Sequence, residues 1–280
     1  MKTLGYYNGT IAPLEELTLP ALDRAVYFGD GIYEASLARG GKIFALEEHL
    51  NRYFSSAAML GIRPGHSPEE LSDILNSLLP QVEDDELMVY WQLSRGTGPR
   101  GHAFLPPNIP ANLLVTLTPR KANPLTAPLR LISAEDTRFL HCNIKSLNLI
   151  PNVMVSERAK QSGCEEAVLH RSGRVTECCH SNISILTNGV FQTAPTDHLI
   201  LPGISRAHLI AQCRTLNIPV KEEAFTLPQL MQADEVIVSS SGGLACAVCE
   251  IDARPVGGKN PAMLQALQQA VLQEFAQATS

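Results

Sequence analysis

Two turn dipeptides set the terms for the second half of the chain. Asn188-Gly189 separates an apolar run at 183–186 from another at 190–193, and an Asn-Gly pair accepts the positive φ angles that a two-residue hairpin demands. Ser172-Gly173 stands in the same relation to residues 166–170 and 174–177. Two successive hairpins commit this region to antiparallel sheet.

The same punctuation orders the rest. Residues 3–12 read as a strand or hairpin, and 32–39 alternate as a strand that ends at Gly40-Gly41, with 42–44 returning. Leu46, Leu50, Tyr53, Phe54, Ala57 and Leu60 recur at helical spacing before Gly61. Arg52 lies near the edge of that stripe, where periodicity alone suggests a surface arginine. Ser67-Pro68-Glu69-Glu70 carries a capping box and opens a helix to about residue 79. Residues 87–94 and 113–117 read as strands, 120–128 as a Pro-rich linker, and 129–134 as a further strand. A helix is expected over 147–162, another over 206–216, and a strand over 234–238. The expected organisation is an α+β chain with an N-terminal domain at 1–119, a linker at 120–128 and a C-terminal domain at 129–280.

Composition narrows the function classes. A net charge of −6 with interspersed signs and no basic stripe argues against a nucleic-acid partner. No apolar run reaches the roughly 18 residues of a membrane span, and the first residues lack the apolar core of a signal peptide. The seven cysteines are scattered, unlike a disulfide framework. Cys246 and Cys249 have zinc-ribbon spacing but no second pair, so they read as buried small residues of a strand and no metal is expected. A cytoplasmic protein is the expectation.

Chemistry concentrates around Lys145. Of the seven lysines, Lys42, Lys121, Lys221 and Lys259 sit in turns or polar stretches, whereas Lys145 is flanked by Ile144, Leu147, Leu149 and Ile150. Partial desolvation would disfavour its charged form, and a neutral lysine can form a Schiff base with a carbonyl. The alternative is a snorkelling lysine at the start of an amphipathic helix. The loop Arg95-Gly96-Thr97-Gly98-Pro99-Arg100-Gly101-His102 is either an anion trap or a solvated turn. Gly203-Ile204-Ser205 opens a helix, and Ser239-Ser240-Ser241-Gly242-Gly243 follows a strand; both could offer N–H and hydroxyl donors to one phosphate. A buried amine, Glu177 and two phosphate cups together call for pyridoxal 5'-phosphate.

The motifs carry a resemblance. Phe28-Gly29-Asp30-Gly31-Ile32-Tyr33-Glu34, Glu48-His49-Leu50-Asn51-Arg52, Ile144-Lys145-Ser146-Leu147-Asn148, Val175-Thr176-Glu177, Ser181-Asn182 and Ile200-Leu201-Pro202-Gly203-Ile204-Ser205-Arg206 occur in that order. The chain resembles the fold-type IV, or class IV, pyridoxal-phosphate-dependent aminotransferases over nearly its whole length. The resemblance implies a smaller N-terminal α/β domain and a larger C-terminal domain with a barrel-like sheet, assembled as a homodimer. It implies that Lys145 holds the cofactor and moves the substrate proton, and that Glu177 pairs with the pyridine nitrogen. Arg52, Ile204, Ser205, Ser240 and Ser241 would take the phosphate. The 95–102 loop looks most like the D-amino-acid transaminases, where Tyr33, Arg100 and His102 would hold the substrate carboxylate, the arginine and histidine reaching across the dimer. A D-amino acid and a 2-oxo acid are the expected substrates, with aminodeoxychorismate lyase and branched-chain aminotransferase the alternatives. Two stretches depart from that subgroup: Cys178-Cys179-His180 replaces the usual Gly-Ser-Ser, and Ser241-Gly242-Gly243-Leu244 replaces Thr-Thr-Ser-Glu.

Overall fold

The computed structural model describes residues 1–280. The chain forms two compact units, the first made of Met1–Ala122, Ile144–Asn148 and Gln277–Ser280, the second of Asn123–Asn143 and Leu149–Ala276. The lysine stretch lies beyond the linker in sequence, yet it belongs to the first unit.

The first unit opens with the hairpin β1 (Leu4–Tyr7) and β2 (Thr10–Ala12), followed by the one-turn helix α1 (Arg24–Phe28). Next come β3 (Gly31–Arg39), β4 (Lys42–Ile43), α2 (Leu46–Met59) and α3 (Pro68–Leu78). Strands β5 (Glu86–Ser94) and β6 (Asn112–Pro119) complete an antiparallel sheet in the order β2-β1-β6-β5-β3-β4. The Ser67 capping box forms as the sequence suggests, with the Ser67 side chain accepting from Glu70 N–H. Helix α2 turns His49, Leu50, Tyr53, Ser56 and Ala57 inward, and Trp91, Leu93, Val89 and Leu117 of the sheet face the same core. Each of the large buried side chains contributes roughly 1.5–3 kcal/mol of burial.

The second unit begins with β7 (Leu129–Glu135) and α4 (Ile150–Gln161). Helix α4 starts three residues later than periodicity suggests, because Leu149 is its N-cap and Pro151 occupies the first turn. The expected hairpins follow: β8 (Glu166–Arg171) with β9 (Arg174–Cys178), then β10 (Asn182–Thr187) with β11 (Val190–Thr193). Ser172, Asn188, Gly173 and Gly189 all take positive φ, as those turns require. After α5 (Ile204–Thr215) come β12 (Val220–Glu222), α6 (Leu227–Gln232), β13 (Glu235–Ser239), β14 (Cys246–Ile251), β15 (Arg254–Pro255) and α7 (Pro261–Ala278). The sheet runs β12-β11-β10-β13-β14-β7-β8-β9, with β15 beside β14. Strand β9 comes back against β10, where Cys178 N–H donates to Ser181 O, so the sheet curls into a half-barrel. Leu131, Val168, Val175, Ile183, Phe225, Leu230, Val236 and Val248 fill it. The expected α+β architecture, with a barrel-like sheet in the second unit, is the one observed.

Candidate active site

Strand β3 places two functional side chains on opposite faces, because side chains alternate along a strand. Glu34 shares the buried face with Ile32 and Ser36 and is 0% exposed. Arg52, on α2, donates from Nε to Glu34 Oε1 at 2.7 Å and from Nη2 to Oε2 at 2.7 Å. His49 Nδ1 lies 2.7 Å from Glu34 Oε2. Burial alone would raise the Glu34 pKa, but the Arg52 guanidinium and His49 outweigh it and hold the carboxyl at about 2. Burial pushes His49 down against the pull of Glu34, so at neutral pH a neutral imidazole donates Nδ1–H to an ionised carboxylate. Arg52 is thus no surface arginine: periodicity missed a partner 18 residues away on another element.

Tyr33, on the other face of β3, stacks on Tyr90 at 5.6 Å. Lys145 meets it there. The stretch 144–148 lies beside β3 through an isolated antiparallel bridge between Ile32 and Ser146: Tyr33 N–H donates to Lys145 O at 2.9 Å and Leu147 N–H to Gly31 O at 3.0 Å. Glycine is required at position 31, where a Cβ would stand 2.4 Å from Leu93 O and 2.8 Å from Leu147 Cδ1. Lys145 Nζ sits 4.1 Å from the centre of the Tyr33 ring, within cation–π reach. Lys145 therefore does not begin a helix. Lys145 is half-buried beside β3 and α2, where Ser56 Oγ accepts from its backbone amide at 3.4 Å, while Ile150 is turned out at 70% exposed.

The 95–102 loop is also part of the first unit. The Arg100 guanidinium lies 5.2 Å from the centre of the Phe28 ring, and the His102 ring 5.3 Å from it. Both side chains of the expected carboxylate trap therefore gather on one aromatic.

In the second unit, Glu177 near the end of β9 is buried and triply held. Oε1 pairs with Arg138, while Oε2 accepts from Asn182 Nδ2 at 2.9 Å and from Leu201 N–H at 3.0 Å. Burial pushes this carboxyl up to about 7, and Arg138 opposes the rise. Arg138 is in turn gripped by Asp136, which accepts from its Nε at 2.9 Å and Nη2 at 2.8 Å. Close to Glu177, α5 starts at Gly203 with no side-chain cap, leaving the Ile204 and Ser205 amides and the Ser205 hydroxyl at a helix N-terminus. A Cβ on Gly203 would stand 1.8 Å from Asn182 Oδ1, so the residue that orients Glu177 also lines the cup. On β13, Ser239 pairs in register with Asn182 and its buried hydroxyl has no partner within the protein. Ser240 Oγ accepts from Gly243 N–H at 3.0 Å, closing the Ser240-Ser241-Gly242-Gly243 turn.

Sequence reading singled out neither Arg138, Asp136 nor Glu166. The buried Glu166 secures the departing stretch after Glu177: it accepts from Cys179 N–H at 3.1 Å and the Ser181 hydroxyl at 3.2 Å, with His180 Nδ1 at 2.7 Å. Burial and Glu166 raise the Cys179 thiol to about 11, and Cys178 is raised as well, so both thiols stay protonated. The signal available was a charged residue opening an apolar strand.

A phosphorylated pyridine aldehyde needs an amine, an acid for its ring nitrogen and a cup for its phosphate. The first unit supplies Lys145 and a clamped Arg52; the second supplies Glu177, the uncapped start of α5, the glycine cradle and the unpartnered Ser239 hydroxyl. Each unit thus holds residue types that fit such a group. The class IV amino-transferase profile matches residues 31–251. A D-alanine aminotransferase of Listeria monocytogenes serotype 4b (strain F2365) is 39% identical over 277 residues, spanning 97% of this chain and 96% of the relative. One of Bacillus licheniformis is 35% identical over 286 residues, with 99% of each chain covered. The structure of a T.th. branched-chain amino acid aminotransferase bound to N-(5'-phosphopyridoxyl)-L-glutamate superposes with a TM-score of 0.88 at 25% identity, covering 99% of this chain and 94% of that one. The chain belongs to the class IV aminotransferases. It is a pyridoxal-phosphate-dependent transaminase.

Proposed function

We propose that this chain transfers the amino group of a D-amino acid such as D-alanine to a 2-oxo acid such as 2-oxoglutarate, in two half-reactions at one site. The carrying observation is the 39% identity to a D-alanine aminotransferase across nearly both full lengths. The gathering of Arg100 and His102 on Phe28 supports it from within the first unit.

When bound, pyridoxal 5'-phosphate supplies an aldehyde for the substrate amine and an electron-poor ring that stores the electron pair released at Cα. Lys145 anchors it and carries the proton between Cα and the cofactor carbon. Glu177 holds a proton at the ring nitrogen; its orientation by Asn182, Leu201 N–H and Arg138 supports that role. Arg52, the Ile204 and Ser205 amides, the Ser205 hydroxyl, Ser240 and Ser241 bind the phosphate. Tyr33, Arg100 and His102 grip the substrate carboxylate, the last two from the partner of a homodimer. No helix is long and apolar enough to cross a membrane, and the seven cysteines are unpaired; both are in keeping with a cytoplasmic enzyme.

Lys145→Ala should remove the cofactor's Schiff-base absorbance and turnover together. Substantial transamination by that variant would refute the assignment. Pyruvate release from aminodeoxychorismate, in place of D-alanine transamination, would move the chain to the lyases. Light scattering checks the dimer.

A further inference from the structure

The loop that carries Arg100 and His102 is mounted on an ion cluster that the transaminase chemistry itself does not use. Asp30 accepts from Arg24 Nε at 2.7 Å and from Arg95 Nε at 2.8 Å. Arg24 is only 3% exposed. Burial would raise the Asp30 carboxyl, but Arg95 and Arg24 outweigh it and keep it below the usual range. The group is therefore a fixed carboxylate between two cations.

The two arginines hold opposite ends of the loop. Arg95, at its start, donates from Nη2 to Leu60 O at 2.8 Å and lies 3.7 Å from the centre of the Phe104 ring. The backbone then ties down: Arg24 N–H donates to Gly96 O and Gly98 N–H to Leu22 O, both at 3.0 Å. At the far end, Arg24 Nη1 reaches across to Gly101 O at 2.6 Å. Gly101 is the residue between Arg100 and His102, so one hydrogen bond fixes the peptide on which both side chains depend. The Arg24 guanidinium also lies 4.9 Å from the Phe28 ring centre, the aromatic on which Arg100 and His102 rest. A short charge-assisted bond to a glycine carbonyl in the exposed 99–102 half of the loop restrains the segment with the most freedom to drift.

We propose that Arg24 is a positioning residue for substrate carboxylate binding: by holding the Gly101 carbonyl it sets Arg100 and His102 in place over Phe28. This rests on the reading of Arg100 and His102 as the carboxylate trap. Tightening that trap acts on substrate binding and leaves proton transfer at Lys145 untouched.

The test is steady-state kinetics of the holoenzyme with D-alanine and 2-oxoglutarate for Arg24→Met, Arg24→Lys and Arg100→Met. Arg24→Met should raise KM for both substrates roughly tenfold, with kcat within about threefold of wild type and cofactor absorbance intact. Arg24→Lys keeps the charge but cannot span Asp30 and Gly101 together, so its KM should fall between wild type and Arg24→Met. Arg100→Met should raise KM by at least as much as Arg24→Met. If Arg100→Met leaves KM unchanged, the trap reading fails and this inference with it. If Arg100→Met raises KM while both Arg24 variants keep the wild-type value, the positioning role alone is overturned. A fall in kcat at constant KM would mark Arg24 as a structural staple and overturn it too. Should Arg24→Met not fold, Arg24→Lys decides alone: a raised KM supports the role and a wild-type KM refutes it.

Discussion

Glu34→Gln is the substitution whose outcome the structure fixes most closely. It removes one charge and little volume from a site where Arg52 makes two 2.7 Å bonds and His49 a third. The carboxyl is held at about 2 against an ordinary 4.5, which corresponds to about 3 kcal/mol of stabilisation at neutral pH. Removing one partner of a buried ion pair costs about 3–5 kcal/mol by mutational precedent, in agreement. The sign follows from the depressed pKa: the contribution is complete above 4.5 and is lost as pH falls towards 2. The gap between variant and wild type should be about 3 kcal/mol at pH 7 and about 2 kcal/mol at pH 3.5.

The assay is built into the chain. Trp91 is the single tryptophan, is fully buried, faces Glu34 in the β3–β5 register and lies 5.9 Å from the His49 ring. Its fluorescence in urea therefore reports unfolding of the unit that contains the clamp. Titration of the cofactor-free protein with pyridoxal 5'-phosphate should show weaker binding in the same variant, because Arg52 loses the carboxylate that aims it. A variant that unfolds within about 0.5 kcal/mol of wild type at pH 7, with no narrowing of the gap in acid, would show that the clamp does not hold Arg52.

Two further outcomes follow from the second unit. In the cofactor-free protein, the raised pKa of Glu177 means a stabilising contribution present below 4.5 and lost as pH rises through about 7. Glu177→Gln should therefore gain stability relative to wild type between pH 5 and 8, as read from denaturation midpoints, and a pH-independent difference would contradict it. Gly203→Ala would drive its methyl into Asn182 Oδ1, costing about 1–3 kcal/mol and displacing the amide that orients Glu177; unchanged stability and cofactor affinity would refute the cradle.

What could be read from the sequence follows the range of the interactions involved. The hairpins at Ser172-Gly173 and Asn188-Gly189, and the capping box at Ser67, are decided within a few residues and stand as expected. Helix α7 was equally available, since Leu264, Leu267, Val271 and Phe275 recur at helical spacing and are buried, yet its Ala- and Gln-rich surface carries no motif that draws notice. Long-range pairings were hidden. Periodicity described α2 correctly and still put Arg52 on the surface, because the residue that decides it, Glu34, belongs to a strand. There the clue was a charge in phase with Ile32 and Ser36, on the face that alternation assigns to the core. The same holds for Arg138, which beyond the nearby Asp136 pairs with Glu177, and for Lys145, whose ammonium lies over the Tyr33 ring and whose backbone amide bonds to Ser56, both distant in sequence. A charged residue inside an apolar strand pattern is costly unless paired, so Glu34 and Glu166 each announced that a partner existed. Alternation could say that such a partner was needed; only the fold could say that one was Arg52 and the other a turn beginning two residues after Glu177.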